Sequence, residues 1–165
     1  MAIGEGKAAE PAGPPATFDG QSVEKKRADY NRLVRTARLG SLILEKVDFK
    51  ILAEALGVNK SLLKRRLDVN STVLSSGLDD GTCVANIVWS IQYRFKGRSI
   101  VRCKASYIIS YDGIKECSEE TVKVFIENVG RVATYAYFRA LYAHLDWSAG
   151  LGSPPLPIIQ FQPKL

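Results

Sequence analysis

Histidine and cysteine are scarce in this chain. One histidine, His144, and three cysteines stand among 165 residues. That supply is too thin to suggest a multi-ligand zinc site, and a histidine-paired catalytic centre has only His144 to use. Cys83, Cys103 and Cys117 are odd in number and lack CxxC spacing. They read as small buried side chains in a reducing compartment. No stretch approaches the roughly 20 consecutive apolar residues of a membrane span, so no membrane insertion is expected. The glycines are scattered and form no phosphate-binding loop. Asp79 with Asp80 and Glu119 with Glu120 are sequence neighbours, which point apart on a turn or helix. They read as a hairpin-loop tip and a helix start. No catalytic residue, metal ligand or cofactor is expected.

What is present suits one folded domain with a real core. Hydrophobic residues make up 46% and charged residues 24%, which argues against wholesale disorder. The first 20 residues carry Pro11, Pro14, Pro15 and four glycines with few large apolar side chains, and read as a disordered tail. They lack the charged start and apolar run of a secretory signal, so a cytoplasmic location is expected. The formal charge is +6, and it is unevenly spread. Residues 24–38 hold six cations against Glu24 and Asp29, a net +4. Residues 94–104 hold Arg94, Lys96, Arg98, Arg102 and Lys104 with no acid.

Ser22 is placed to cap a basic helix or arm within residues 21–37. SLILEKVDF (41–49) reads as a strand. ILAEALGVNK (51–60) has helical composition but is too short for an independent helix, with Gly57 and Asn59 as stop or turn signals. LLKRRLDVNSTVL (62–74) is a second strand candidate. Residues 83–95 and 100–111 alternate apolar with mixed or polar residues, and Lys96-Gly97-Arg98-Ser99 joins them as an antiparallel hairpin. Ser118 followed by Glu119 and Glu120 opens a helix to about Asn128, because carboxylates favour the positive helix end. Gly130 marks a break or bend. A longer helix follows with two apolar stripes. Val129, Val132, Ala133, Ala136, Tyr137, Ala140, Leu141, His144 and Leu145 form the one expected to face the sheet. Tyr135, Phe138 and Tyr142 form the second, expected to meet another subunit or an apolar ligand. Prolines in SPPLPIIQFQPKL favour an extended end. Strands followed by helices predict an α+β fold: a four-stranded antiparallel sheet followed by two helices packed on one face.

The basic excess raises nucleic acid as a partner. Arg102 and Lys104, beside Arg94 and Arg98, are suited to phosphates. The aromatics of the same strands, however, alternate onto the opposite face, whereas a stacking platform needs both on one surface. A basic nucleic-acid-binding α+β module is therefore the alternative reading.

Residues 36–162 resemble the SecB family of protein-export chaperones, including SecB-like chaperones found with toxin–antitoxin modules. The stretch VGRVATYAYFRALYAHLDWSAGLGSPPLPIIQF carries the likeness. Tyr135, Tyr137 and Arg139 match an aromatic-Pro-Tyr-x-Arg segment, with Ala136 in place of the proline. Pro154, Pro155, Leu156 and Phe161 match the following Pro-Pro-Leu and aromatic. KVDFK (46–50) and RLDVNST (66–72) are similar to the family's first two strands. The resemblance implies a SecB-like domain over 38–165 and an ATP-independent holdase for unfolded or particular client polypeptides. It also implies a homotetramer, a dimer of dimers. Client-binding residues would be Phe49, Ile51, Leu52 and Leu56 at the crossover, with Tyr135, Phe138 and Tyr142. Export members dock the motor SecA through acidic sheet positions. Lys46, Lys50 and Lys104 match three of these here, with Arg102 in the same run. A partner-docking surface of reversed sign repels a basic partner and attracts an acidic one, which argues against SecA docking in its usual form.

Overall fold

Four strands of 14 or 15 residues make up the sheet. In the computed structural model, which describes residues 20–77 and 80–159, α1 (Gly20–Thr36) leads into β1 (Arg38–Ile51). Two short 3-10 turns (Ala53–Leu56 and Lys60–Leu62) then cross to β2 (Lys64–Gly77). β3 (Thr82–Phe95), β4 (Arg98–Asp112), α2 (Glu119–Phe125) and α3 (Arg131–Ser148) follow. The strands are antiparallel in the order β1-β4-β3-β2, so β1 and β2 are the two edges. The expected tail up to residue 19, Asp79 and Phe161 lie outside the described residues.

The β3–β4 hairpin forms where period-two alternation predicts it. Its connection is tighter than expected: only Lys96 and Gly97 lie between the strands, with φ of 46° and 81°. Two positive φ values make the turn type that matches strand twist. Cys83, Ala85, Ile87, Trp89, Ile91 and Tyr93 from β3 are buried on the face toward the helices. Cys103, Ala105, Tyr107, Ile109 and Tyr111 from β4 join them. All three cysteines are free and buried. The helices, α1 included, add Tyr30, Leu33, Val122, Phe125, Ile126, Tyr135, Phe138 and Tyr142 to this core, and no helix among the described residues is long and apolar enough to cross a membrane.

Ser118 caps α2 by accepting from the Thr121 N–H at 3.2 Å. Gly130 does not end the helix. Residues Ile126–Gly130 form a single π turn that carries α2 into α3 without a break. A methyl at Gly130 would sit 2.9 Å from the side chains of both Ile109 and Ile87, so glycine here allows close approach to the sheet. α1 starts at Gly20, which places Ser22 inside the helix instead of at its cap. It anchors through Tyr30 and Leu33, both buried in the core, and through exposed ion pairs Lys26–Glu120 and Arg32–Glu116 at 3.0 and 3.2 Å.

Candidate functional site

β1 carries an apolar row that the helices leave open. Its partners on β4 identify the row. Leu39, Leu42, Leu44, Val47, Phe49 and Ile51 lie opposite Tyr111, Ile109, Tyr107, Ala105, Cys103 and Val101, which all face the core. α2 and α3 pack on β2, β3 and β4. At the β1 edge Leu39, Leu44 and Val47 remain 47%, 43% and 37% exposed, and Phe49 and Ile51 are part-buried. The crossover extends this surface with exposed Leu52, Leu56 and Leu62. It is pinned where the Leu52 N–H donates to the Ile100 carbonyl at 2.9 Å and where Ala55 is buried. Asn59 caps its second turn by accepting from the Ser61 N–H at 3.0 Å. Contiguous exposed apolar surface of this kind marks a binding or association face.

Four of the seven expected client-contact residues, Phe49, Ile51, Leu52 and Leu56, belong to this surface. The other three do not share it. Tyr135, Phe138 and Tyr142 are 6%, 0% and 2% exposed and form the inner face of α3. Phe138 stacks on Trp89 with ring centroids 5.8 Å apart, Tyr142 stacks on Tyr93 at 6.2 Å, and Tyr135 tilts against Trp89 at 4.9 Å. The stripe expected to face the sheet lies mostly outward, with only Val129, Leu141 and Leu145 at its margins packed part-buried against the core. Val132 and Tyr137 are 50% and 56% exposed, and His144 is exposed. The reversal has a steric reason: β3 and β4 present large rings and branched side chains that interlock with aromatics. The alanine-rich stripe is too shallow to fill that space.

The tail after α3 seals the aromatic layer. Tyr93 Oη donates to the Pro154 carbonyl at 3.3 Å, Arg65 Nη1 to Pro155 at 3.0 Å, and Tyr135 Oη to Pro157 at 2.6 Å. Leu156 is buried between these anchors. Asp146, 8% exposed, fixes the preceding loop by accepting from the Ser153 N–H at 2.9 Å. Burial pushes the phenols of Tyr93, Tyr135 and Tyr142 above the ordinary tyrosine range, and those of Tyr107 and Tyr111 to about 12. The Cys103 thiol is raised to about 11, by burial first and by Asp48 second, so it stays protonated and poorly nucleophilic near neutrality.

The outer sheet face carries the expected basic docking residues. Lys46, Lys50, Arg102 and Lys104 are all exposed there. The register sets them in rows: Lys50, Arg102, Gln92 and Arg66 across one, Asp48, Lys104, Ser90 and Asp68 across the next. Lys50 pairs with Asp48 at 3.7 Å and Arg66 with Asp68 at 2.8 Å. Lys46, Arg102 and Lys104 form no ion pair among the described residues. Trp89, Tyr93, Tyr107 and Tyr111 are at most 4% exposed beneath the helices, so the sheet offers no stacking platform beside these cations. Among the described residues no group of three or more His, Cys, Asp or Glu is arranged to hold a metal.

Neither a family model nor a curated protein matches the chain. Among solved structures it is similar to a SecB-like chaperone of Mycobacterium tuberculosis, determined in complex with a ChAD peptide from an antitoxin. The TM-score is 0.63 at 18% identity, covering 84% of this chain and 99% of the other. A Streptococcus agalactiae protein of unknown function covers 76% of this chain at 12% identity with a TM-score of 0.31. The first similarity establishes a SecB-like fold, α+β with the four-stranded antiparallel sheet and helices described above.

Proposed function

From the SecB-like fold and the uncovered row on β1, we propose that this protein is an ATP-independent chaperone that holds apolar polypeptide segments. The observation that carries the reading is the row itself. Six apolar side chains line one face of an edge strand, and three exposed leucines continue it across the crossover. An edge strand also offers main-chain donors and acceptors to an extended peptide, while side-chain pockets select apolar residues. Phe49, Ile51, Leu52, Leu56, Leu44 and Val47 are the proposed client contacts. Tyr135, Phe138 and Tyr142 instead hold α3 on β3 through Trp89 and Tyr93.

The outer stripe of α3, with Val132, Tyr137 and Trp147 exposed, is the proposed self-association surface of a homotetramer. The basic outer sheet face is the proposed docking site for an acidic partner, and its sign disfavours SecA in its usual mode. The mycobacterial neighbour's peptide supports a dedicated client, such as an antitoxin, for this chain as well.

The test is aggregation of a chemically unfolded protein on dilution. The wild-type chain is expected to suppress light scattering at near-stoichiometric ratio without ATP. Leu44→Asp with Val47→Asp is expected to abolish suppression while leaving far-ultraviolet circular dichroism unchanged. Salt-insensitive suppression with no affinity for DNA or RNA supports the chaperone. Nucleic-acid affinity that falls steeply with salt, without suppression, supports the basic-module alternative. Tight SecA binding with restored preprotein export in cells lacking SecB would overturn the dedicated-client reading.

A further inference from the structure

The free edge of β1 has two faces of different chemistry. Among the described residues β4 is its only strand neighbour, so its other side presents unpaired main-chain N–H and C=O groups. Register shifts fall at Gly40 and Glu45, which leaves Lys46–Ile51 as a regular stretch. At a strand's rise that stretch is about 17 Å long. Val47, Phe49 and Ile51 lie opposite the buried Ala105, Cys103 and Val101 and continue the apolar row. Lys46, Asp48 and Lys50 lie opposite Ser106, Lys104 and Arg102 and belong to the outer face. Lys46 is exposed and pairs with no described acid, and the Lys50 side chain is 72% exposed and reaches Asp48 only at 3.7 Å. Exposed Arg102 and Lys104 add two cations one strand further in. Glu45, the other acid beside the stretch, is engaged by Ser106 Oγ and Asn86 Nδ2.

A strand added to this edge has to answer both faces at once. Its side chains alternate, so every second one meets the apolar row and the others meet the outer face. Directly opposed side chains lie about 4.5–5.5 Å apart, near enough for carboxylate and ammonium to pair. Two carboxylates with three residues between them face Lys46 and Lys50. The middle residue faces Asp48, which disfavours a third acid. The residues on either side of it fall on the apolar row.

We propose that β1 selects client segments in the order acidic, apolar, neutral or basic, apolar, acidic, taken up as a fifth strand along Lys46–Ile51. The order reads the same in both chain directions, so either strand orientation satisfies it. This names the client class of the β1 surface and rests on the client-holding reading above.

Labelled peptides SEVTVESG, SKVTVKSG and SEEVTVSG test it, titrated against the full chain by fluorescence anisotropy. The first carries the order, the second reverses its charge, and the third keeps the composition but breaks the spacing. At low salt the first is expected to bind about tenfold more tightly than either of the others, because two attractive cross-strand pairs are gained. Raised salt is expected to narrow that gap. Lys46→Glu with Lys50→Glu is expected to invert the ranking of the first two, a result that general loss of folding cannot produce. Equal affinity for the first two, or a third peptide as tight as the first, overturns the proposal. If aggregation of unfolded protein is still suppressed in that case, the client reading stands and the charge order alone fails. Binding of none of the peptides also overturns it, and amides across 46–51 that resist exchange in the free chain then place a second copy on the edge. The expected ranking without any suppression supports the docking and overturns the chaperone reading.

Discussion

Trp89 fixes the helical layer by two kinds of contact at once. Its Nε1 donates to Thr134 Oγ1 at 2.9 Å, and its ring meets Tyr135 and Phe138. Thr134 Oγ1 in turn donates to the Gly130 carbonyl at 3.0 Å, tying the anchor to the π turn. Removing a fully buried ring leaves a void the layer cannot close, so Phe138→Ala is expected to cost ~3–5 kcal/mol in denaturant unfolding. Tyr137→Ala, one residue away and exposed, is expected to change the isolated subunit's stability by less than about 0.5 kcal/mol. The buried phenols give a pH prediction. Tyr107 and Tyr111 lose their protons near pH 12 when folded and near 10 when unfolded. Below the unfolded value both states stay protonated and stability is constant. Above it the unfolded state sheds protons first, so stability falls between about pH 10 and 12. Tyrosine absorbance titrated with pH should rise with unfolding, not before it. Two apolar stripes on one helix were legible from spacing alone. Which stripe is inner was not, because periodicity carries no information about the depth of the surface a helix meets.

At the scale of elements, the hairpin and the edge strand differ in how openly their sequence states its faces. β3 alternates without interruption through Trp89 to Tyr93, so its buried set can be read residue by residue. β1 has register shifts at Gly40 and Glu45, each of which inserts one residue and displaces the alternation. Its strand character was therefore legible, but not the row from Leu39 to Ile51. Glu45 is used at its bulge: its carboxylate accepts from Ser106 Oγ at 2.7 Å and Asn86 Nδ2 at 3.1 Å. The junction of α1 with the sheet depends on Gly113, whose φ is +79° and whose added methyl would lie 2.6 Å from the Thr36 carbonyl oxygen. Gly113→Ala is expected to destabilise this junction by ~1–3 kcal/mol. Amide hydrogen exchange should then accelerate across residues 24–36 while β3 and β4 keep their protection.

The whole molecule divides its surface by chemistry. The β1 row and crossover are apolar, the outer α3 stripe is apolar with small residues between large ones, and the exposed sheet face is basic at one end. If the α3 stripe joins the two dimers, Tyr137→Glu with Trp147→Glu should reduce native mass from four chains to two, each chain being 18.2 kDa. Because both side chains are exposed, circular dichroism should not change. An unaltered oligomer would move the interface elsewhere. Charge reversal of Lys46 and Lys104 to glutamate should leave mass and aggregation suppression intact while abolishing capture of an acidic partner peptide.

The sequence by itself determined the α+β class, the strands, the hairpin and the location of the charge, because each follows from local periodicity, turn chemistry and composition. Only the tertiary structure decided which side of α3 is core, that β1 is an edge with its apolar face open, and that the proline tail lies over the aromatic layer. Those outcomes depend on strand order and on the fit of side chains far apart in sequence. Tyr135 shows the difference most clearly. Its apolar stripe is visible in the chain, but its burial on Trp89 and its bond to the Pro157 carbonyl exist only once the sheet, helix and tail have come together.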